Sequence, residues 1–369
     1  MMSGSVEERT GPSGSGTRKR ILVTGAGGFI GGRVVEVLAQ CPGIEVVPAL
    51  RRWSTAARIG RYPVNPVLCD LLDPTQVVEA VQGVDVVIHC AVGARDATVV
   101  GTSNLLKAAH AAGVRRVIHL STVDVYGRAE GRVPESTPVA LTGRAYGDAK
   151  IEAEEVCRAW MDKGLEVVVL RPTIVHGPFS DSWTLEFGTR LAGGSWQLPA
   201  EACQGTCNLV YVDDLVRAIL LAIEAPGAAG RAFNVNGPDR PTWQAYVEAL
   251  NDALGRPPLS TPHSRASRIK TTVVEPFRRV VKAAFNRFQG PVLALYKRSR
   301  VARTLMKGVE KVLRSVPSPA EYDLYGRVVD FPTNEAERVL GYRPRVGLDE
   351  GVRLSAAWLM HEGVVRAPE

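Results

Sequence analysis

The sequence predicts an α/β protein in which a doubly wound parallel sheet is joined to a smaller C-terminal lobe. From residue 20 onward, short apolar runs alternate with amphipathic stretches of helical length. Runs that are apolar at nearly every residue are typical of parallel strands that helices cover on both faces. A glycine-rich stretch directly follows the first run and marks a tight turn into the first helix. The composition, 45% hydrophobic and 22% charged, is that of an ordinary globular protein.

The predicted elements alternate between strand and helix up to about residue 172. Strands are predicted at 20–24, 45–50, 67–69, 84–89, 117–121 and 166–170, and helices at 32–40, 75–81, 98–112 and 146–163. A later helix is predicted over 215–224, with Asp213 and Asp214 as its capping residues. This order favours a sheet whose crossover helices lie on both of its faces.

Three parts of the chain differ in composition. Residues 1–19 are rich in Ser, Gly and charge and have no apolar segment, so we expect a disordered leader and not a signal peptide. Residues 20–172 contain the alternating strands and helices. Residues 173–369 are less regular, and we expect them to form the lobe over the carboxyl ends of the strands, with some return to the first part.

Two classes of protein are disfavoured by the sequence. No run of about 18 uncharged apolar residues occurs, so a membrane-spanning helix is not expected. Six cysteines are scattered, several of them inside predicted strands, which suits reduced thiols in a cytoplasmic protein. Cys203 and Cys207 stand four apart without a second pair or a nearby His, so no metal site is expected.

A basic insertion at 264–316 accounts for the positive charge of the chain. It carries 14 Lys and Arg against two acids, a net +12, while the whole chain is +7 and the remainder therefore about −5. Residues 276–314 have apolar faces flanked by basic residues, which suits either helices packed on the lobe, our slightly preferred interpretation, or peripheral docking to an anionic membrane surface. Nucleic-acid binding is not expected, because aromatic residues are not interleaved with the charges.

The stretch TGAGGFIG at 24–31 lies between the first predicted strand and helix. Gly25, Gly28 and Gly31 are spaced so that the backbone can approach a pyrophosphate at the N-terminus of the helix. A glycine-rich turn alone is weak support, since glycines also serve simple turns. The strand-turn-helix context favours a dinucleotide site.

Arg51 and Arg52 end the second predicted strand, where a site specific for NAD usually places an acid. Guanidinium groups at that position can bind the 2′-phosphate of NADP through charge-assisted hydrogen bonds. The alternative is that one or both arginines are solvated loop residues. The sequence therefore favours NADP over NAD.

Tyr146 and Lys150 stand four residues apart in a predicted helix, which places the phenol and the ammonium group on one face. An ordinary Tyr has a pKa of about 10, and a nearby cation favours the phenolate and lowers that pKa. Such a pair can transfer protons near neutral pH. The spacing alone occurs by chance, but here it follows the glycine-rich turn by about 120 residues, with STVDVYG at 121–127 between them.

Together these motifs resemble the extended short-chain dehydrogenase/reductase family, whose fold is of the Rossmann type. The resemblance runs from about residue 20 to 260 and resumes at 331–359. Further matching segments are HCA at 89–91, RPTIVHGP at 171–178, NLVYVDD at 208–214, FNVNGP at 233–238 and LGYRPRVGLDEGVRLSAAWL at 340–359. These segments are specific for the superfamily and not for a substrate.

The resemblance implies roles for individual residues. Thr122 would be the catalytic Ser/Thr, Tyr146 the general acid/base, and Lys150 would hold the nicotinamide ribose and tune Tyr146. Asp70 and Leu71 would contact the adenine. The remaining cofactor contacts implied are Gly25, Gly28, Phe29, Ile30, Gly31, Arg51, Arg52 and Ala91.

Departures from the family pattern concern the substrate. Sugar-nucleotide epimerases usually have Asn where Ile174 stands, and often an Arg-Asp pair at Cys207–Asn208, which weakens a uridine-diphosphate site. Val123 replaces an acid of the sugar dehydratases. Asp124 is either a substrate-facing base or a turn-capping residue. His176 lies beside the expected cleft, where packing is favoured over contact with substrate.

The expected activity is hydride transfer, with NADP or NAD, at a secondary alcohol or ketone of a small-molecule substrate. A nucleotide-sugar-like substrate is the first choice, processed by epimerisation or keto reduction. A lipophilic alcohol, sterol-like or polyketide-like, is the alternative. A non-catalytic cofactor-binding protein is disfavoured because Tyr146 and Lys150 are both present. We expect a homodimer.

Overall fold

The computed structural model describes residues 18–194, 202–259 and 317–365, together with Trp196, Pro199 and Pro276. Residues 1–17 of the expected leader lie outside the described residues, as does the basic insertion apart from Pro276. The expectations for these two segments therefore stay predictions.

The strands confirm the predicted parallel sheet. In chain order they are β1 Lys19–Thr24, β2 Ile44–Leu50, β3 Val67–Leu68, β4 Val86–His89, β5 Arg116–Leu120, β6 Gly131–Arg132, β7 Glu166–Pro172, β8 Ile174–His176, β9 Leu209–Tyr211, β10 Ala232–Val235 and β11 Val329–Asp330. Within the described part of the chain, the main sheet has seven strands in the order β10-β7-β5-β4-β1-β2-β3, all parallel. Two smaller parallel pairs, β6 with β11 and β8 with β9, lie outside it.

The helices connect these strands and cover them. They are α1 Phe29–Leu38, α2 Pro74–Ala80, α3 Arg95–Ala111, α4 Ala145–Met161, α5 Glu186–Ala192, α6 Val212–Glu224, α7 Trp243–Ala253, α8 Pro319–Gly326, α9 Asn334–Leu340 and α10 Leu348–His361. Short 3-10 helices cover Trp53–Thr55 and Val123–Tyr126, and a π-helical turn covers Asp181–Leu185. Among the described residues, no helix is both long and apolar enough to span a membrane.

Both faces of the main sheet are buried, which explains the continuous apolar runs. Successive residues of a strand point to opposite faces. Ile21 and Val23 pack with α1 and α6 on one face, while Leu22, between them, packs with α2 and α3 on the other. All three side chains are completely buried. A strand in this position has no polar face, so the doubly wound prediction holds.

The smaller lobe has its own aromatic core. Phe187 from α5, Trp243 and Tyr246 from α7, and Tyr325 from α8 lie in one cluster, with Leu359 of α10. The ring centroids of Trp243 and Tyr325 are 4.6 Å apart. This core holds α5, α7, α8 and α10 together, while β10 returns to the edge of the main sheet.

The prediction that Asp213 and Asp214 cap the helix at 215–224 was wrong. Helix α6 begins at Val212, so both carboxylates lie inside its first turn, where the helix dipole favours negative charge. Asp213 pairs with Arg33 at 2.6 Å. Asp214 accepts a hydrogen bond from the backbone N–H of Arg345 at 3.0 Å. Both carboxylates therefore bind residues that are distant in the sequence and do not act as helix caps.

Candidate active site

The glycine-rich turn between β1 and α1 is packed too tightly for side chains. Gly25 has a positive φ of 68°, and the Gly28 N–H donates to its carbonyl at 3.0 Å. A Cβ on Gly31 would lie 2.3 Å from the same carbonyl oxygen. Gly28 is the N-cap residue of α1, and no side chain caps that end. The turn fits the pyrophosphate of a dinucleotide, because it brings an uncapped helix N-terminus to an exposed backbone.

The segment after β4 lies directly against this turn. A Cβ on Gly25 would be 2.8 Å from the backbone nitrogen of Ala91, and that N–H donates to the Thr24 hydroxyl at 3.3 Å. The Thr24 hydroxyl also contacts His89 Nδ1 at 2.7 Å. Burial and the charge of Lys150 lower the pKa of His89 to about 3, so its ring is neutral. The structure therefore brings Ala91 beside the predicted cofactor turn.

Asp70 and Leu71 follow β3. Leu71 is buried, and a Cβ on Gly101 of α3 would lie 2.9 Å from the Leu71 Cβ. The Leu71 carbonyl accepts from Asn104 Nδ2 at 2.9 Å. Asp70 accepts from the backbone N–H of Leu72 at 3.0 Å, so its carboxylate shapes the local turn. Both residues lie beyond the carboxyl end of a sheet strand, and their contact with adenine stays a prediction.

Arg51 and Arg52 are exposed at the carboxyl end of β2. The Arg52 carbonyl accepts hydrogen bonds from the backbone N–H of Thr55 at 3.1 Å and from its hydroxyl at 2.7 Å. Thr55 packs on the glycine-rich turn so closely that a Cβ on Gly27 would be 2.6 Å from the Thr55 Cβ. The two arginines thus stand on a loop anchored to the predicted cofactor site.

A third arginine near the turn was not indicated by the sequence motifs. Arg58 donates from Nη1 to the Phe29 carbonyl at 2.9 Å and from Nε to Glu36 at 2.8 Å. Its guanidinium carbon lies 4.1 Å from the centroid of the Phe179 ring. Glu36 is buried, and Arg58, Arg33 and Arg61 all pair with it. Nothing local in the sequence reveals this contact, since Arg58 lies 22 residues from Glu36.

Thr122 and Tyr146 meet at the carboxyl end of β5. Thr122 is the N-cap residue of the 3-10 helix Val123–Tyr126, and its hydroxyl accepts from the Asp124 N–H at 3.2 Å. The Thr122 side chain also acts on the Tyr146 phenol, where it opposes the larger effects that raise the pKa. The Tyr146 side chain is 50% exposed, so the phenol is accessible from the cleft. The hydroxyl groups of Thr122 and Tyr146 are therefore arranged so that both can hydrogen-bond the carbonyl oxygen of a ketone.

Lys150 lies one turn after Tyr146 in α4 and is 3% exposed. Its Nζ donates to the carbonyl of Leu120, the last residue of β5, at 2.6 Å. Burial lowers the pKa of Lys150 from its ordinary 10.5 to about 8, although Cys90, Cys157 and Glu154 oppose the shift. An ammonium group has three donors, so two remain beyond the bond to Leu120.

The pKa of Tyr146 is shifted in the opposite direction from the sequence expectation. Loss of hydration around the phenol raises the pKa of Tyr146 above its usual value, and the negative charge of Asp124 raises that pKa further. The Thr122 side chain opposes both effects. The Nζ of Lys150 is directed to the carbonyl of Leu120.

Asp124 lies next to the first turn of α4. Its Oδ1 accepts from Arg144 Nη2 at 2.8 Å, and Arg144 is the N-cap residue of that helix. A Cβ on Gly147 would be 3.3 Å from Asp124 Oδ2. Asp124 therefore lies beside the first turn of α4, which carries Tyr146, and is paired with a cation.

A buried polar network lies beneath these groups. Arg171 of β7 binds both carboxylate oxygens of Glu154, at 2.9 and 2.6 Å. The Ser121 hydroxyl donates to Glu154 at 2.5 Å, and Arg171 also donates to the Tyr126 hydroxyl at 2.8 Å. That hydroxyl in turn donates to Asn234 of β10 at 2.8 Å. The network ties α4, which carries Tyr146 and Lys150, to β7, to β10 and to the residue directly after β5. The position of Glu154, one turn after Lys150, was the only sequence signal for it.

His176 is buried among aromatic side chains. It is 2% exposed and packs against the rings of Tyr211 and Tyr246, with centroid distances of 5.4 and 6.1 Å. A Cβ on Gly351 would lie 2.6 Å from its ring. Burial lowers the pKa of His176 to about 4. This position favours packing over substrate contact. In the described part of the chain, no three His, Cys, Asp or Glu side chains are grouped to hold a metal ion.

The chain is similar to proteins of known activity. A 2-alkyl-3-oxoalkanoate reductase from Stenotrophomonas maltophilia (strain K279a) is 29% identical over 352 residues, covering 90% of this chain and 97% of the reductase. A UDP-glucose 4-epimerase from Vibrio cholerae is 29% identical over 272 residues, covering 66% of this chain and 78% of the epimerase.

Among solved structures, a UDP-glucuronic acid 4-epimerase from Bacillus cereus in complex with NAD has the same fold. It superposes with a TM-score of 0.69 at 19% identity and covers 93% of this chain and 98% of the epimerase. The model of the NAD dependent epimerase/dehydratase family matches residues 21–236, more than half of the chain. The chain is therefore an enzyme of the NAD-dependent epimerase/dehydratase family, within the extended short-chain dehydrogenases/reductases.

Proposed function

We propose that this enzyme transfers hydride reversibly between NAD(P) and the ketone or secondary alcohol of a lipophilic 3-oxo or 3-hydroxy acid. The observation that carries the proposal is that Thr122 and the exposed Tyr146 lie near one another, at the strand edge that also presents the glycine-rich turn. Ligands of such sheets bind at the carboxyl ends of the strands.

In the reduction direction, Tyr146 donates its phenolic proton to the carbonyl oxygen, and Thr122 donates a hydrogen bond to the same oxygen. When bound, the nicotinamide supplies the hydride, so that a ketone, NAD(P)H and one proton give an alcohol and NAD(P)+. Lys150 has free donors for the ribose hydroxyls at the end of β5. Thr122 holds the carbonyl in position, so that the proton transfer needs little reorganisation.

The substrate class rests on two observations. The similarity to the 2-alkyl-3-oxoalkanoate reductase runs almost end to end, whereas that to the UDP-glucose 4-epimerase covers about two thirds of this chain. In addition, Cys207 and Asn208, which stand where epimerases often have an Arg-Asp pair, are buried. The Asn208 amide donates to the Val329 carbonyl at 2.9 Å, so it is engaged within the fold.

A nucleotide-sugar substrate, favoured by the sequence, becomes the second candidate. The end-to-end structural likeness to a UDP-glucuronic acid 4-epimerase keeps it in consideration. The two candidates differ in net chemistry, because an epimerase returns the hydride to the substrate and consumes no cofactor.

For the cofactor we propose NADP over NAD. Arg51 and Arg52 are exposed beside the glycine-rich turn, and β2 ends without an acid that could bind the ribose hydroxyls.

We also propose that the enzyme is a homodimer. Light scattering, measured on the protein peak as it elutes from a chromatography column, gives the mass that tests this proposal. A peak with the mass of one chain would contradict it.

The decisive experiment incubates the purified enzyme with a 2-alkyl-3-hydroxyalkanoate and NADP+ or NAD+, and with UDP-glucose in a parallel reaction. Appearance of reduced cofactor with the hydroxy acid, and no 4-epimer of UDP-glucose, is expected. Formation of the epimer without net cofactor reduction would replace the proposal by the second candidate. Absence of both reactions would contradict oxidoreduction on either class.

A further inference from the structure

A second arginine reaches the site from a distant part of the chain. Arg327 directly follows α8, and its Nη1 donates to the Gly127 carbonyl at 2.8 Å, across 200 residues of sequence. Gly127 closes the 3-10 helix that begins after Thr122. Arg327 is therefore held against the short helix whose N-cap residue is Thr122.

Arg144, the N-cap residue of α4, also lies near this short helix. It stands two residues before Tyr146, is about half exposed, and pairs with Asp124 at 2.8 Å. The charge of Asp124 also acts on Arg327. Arg144 and Arg327 thus share one nearby carboxylate, with Glu130 on the adjoining loop as the other acid that acts on Arg327.

The positive charge of Arg327 is only partly balanced by the acids around it. Burial lowers the pKa of its guanidinium, the charge of Arg144 lowers it further, and Asp124 and Glu130 do not restore it. Its Nε is buried, and among the described residues it has no hydrogen-bond partner. Burying a cation with an unpartnered donor is unfavourable, and an anion held by the Nη groups of the same guanidinium would offset part of that cost.

We propose that Arg327 and Arg144 bind the carboxylate of the substrate, next to the carbonyl that Thr122 and Tyr146 hold. This inference rests on the proposed function, and it names the group by which that site selects acids. A carboxylate is planar and offers two oxygens, which match the fork of a guanidinium group. In a 3-oxo acid, one carbon separates the carboxylate from the reacting carbonyl, so neighbouring groups can bind both.

Apolar residues stand on the same two segments as the arginines. Leu141, three residues before Arg144, is 70% exposed, and Val328, directly after Arg327, is 64% exposed. Large apolar side chains beside a cation suit an acid that carries an alkyl chain. A sugar diphosphate has no such chain.

The test compares a 2-alkyl-3-hydroxyalkanoate with its methyl ester, both oxidised with NADP+ by the full-length enzyme. Wild type is expected to have a lower KM for the acid. Arg327→Met should raise the KM for the acid about tenfold or more, as expected for the loss of one charge-assisted contact, and leave the KM for the ester nearly unchanged. Arg128→Met is the matched control, because Arg128 is exposed on the adjoining loop and pairs with Asp323.

A second readout does not depend on turnover. Hexanoate should raise the melting temperature of the wild-type enzyme with NADP+ bound, hexanol should not, and Arg327→Met should abolish the effect. Arg327→Lys keeps the charge and should retain part of it, which separates loss of the site from loss of the fold.

Two results would overturn the inference. One is an equal KM for acid and ester in wild type, and the other is an equal response of both substrates to Arg327→Met. If wild type oxidises neither compound, the proposed function fails. In that case the melting-temperature experiment with hexanoate alone tests whether Arg327 binds a carboxylate.

Discussion

Lys150 follows Tyr146 by one turn of α4, but its Nζ donates to the carbonyl of Leu120 at 2.6 Å. The ammonium group is thereby held at the end of β5, and burial brings its pKa to about 8. The phenol of Tyr146 is instead influenced by Thr122 and Asp124. The two residues of the motif therefore occupy different electrostatic environments, and we expect their variants to behave differently.

Tyr146→Phe should reduce turnover by about a hundredfold to ten-thousandfold, the range for a general acid, and leave cofactor affinity nearly unchanged. Only the transferable proton is removed. Lys150→Ala should impair both turnover and cofactor binding if Lys150 binds the nicotinamide ribose, as we propose. Steady-state kinetics and a fluorescence titration with NADPH measure the two effects. Wild-type turnover in Tyr146→Phe would refute the mechanism.

Cofactor affinity should fall as the pH rises through about 8, because Lys150 loses its charge there. The folded-state pKa lies below the ordinary 10.5, so the buried cation destabilises the fold fully below about pH 8, and stability rises between about 8 and 10.5. Lys150→Met should abolish both pH dependences. Titrations of NADPH binding and of urea unfolding across this range measure them, and profiles shared by wild type and variant would contradict the assignment.

Replacement of Arg51 and Arg52 by Ala should weaken NADPH binding by about tenfold or more and NADH binding far less. The 2′-phosphate is present only in NADPH, so NADH serves as the internal control. Dissociation constants from fluorescence titration compare the two cofactors. Equal losses would mean that these arginines do not bind the 2′-phosphate.

Glu154→Gln should lower the free energy of unfolding by about 3–5 kcal/mol, because it leaves the buried Arg171 without its counter-charge. The matched control is Glu152→Gln in the same helix, which breaks a more exposed pair with Arg95 and should leave stability nearly unchanged. Urea denaturation measures both variants. If the two lose the same stability, burial does not set the strength of the Glu154 pair.

Binding to vesicles of anionic lipid at low salt is expected if residues 276–314 dock to a membrane surface. Each basic residue near such a surface contributes about 1 kcal/mol, and a lipophilic substrate would partition there. Co-sedimentation should disappear in a variant in which a short linker replaces 276–314, and neutral vesicles provide the control. Absence of binding to every lipid composition would leave this segment as a packed cover of the lobe.

Much of the fold was predictable because it depends on local patterns. The runs around Ile21 and Val86 are continuous since both faces of the sheet are covered, and this periodicity can be read without a structure. The glycines at 25, 28 and 31 were predictable for a similar reason, because close backbone packing excludes a Cβ. Helix starts were less predictable: α1 begins at Phe29, three residues before the expected start, because an extended Gly28 serves as its N-cap residue.

The sequence by itself determined the order of strands and helices, the glycine-rich turn and the four-residue spacing of Tyr146 and Lys150. Only the tertiary structure decided where Lys150 directs its charge, that His176 is buried, and that Arg327 meets Gly127 across 200 residues. Secondary structure follows from neighbours within a few positions. Burial and charge environments depend on which distant segments pack together, and no local pattern records that.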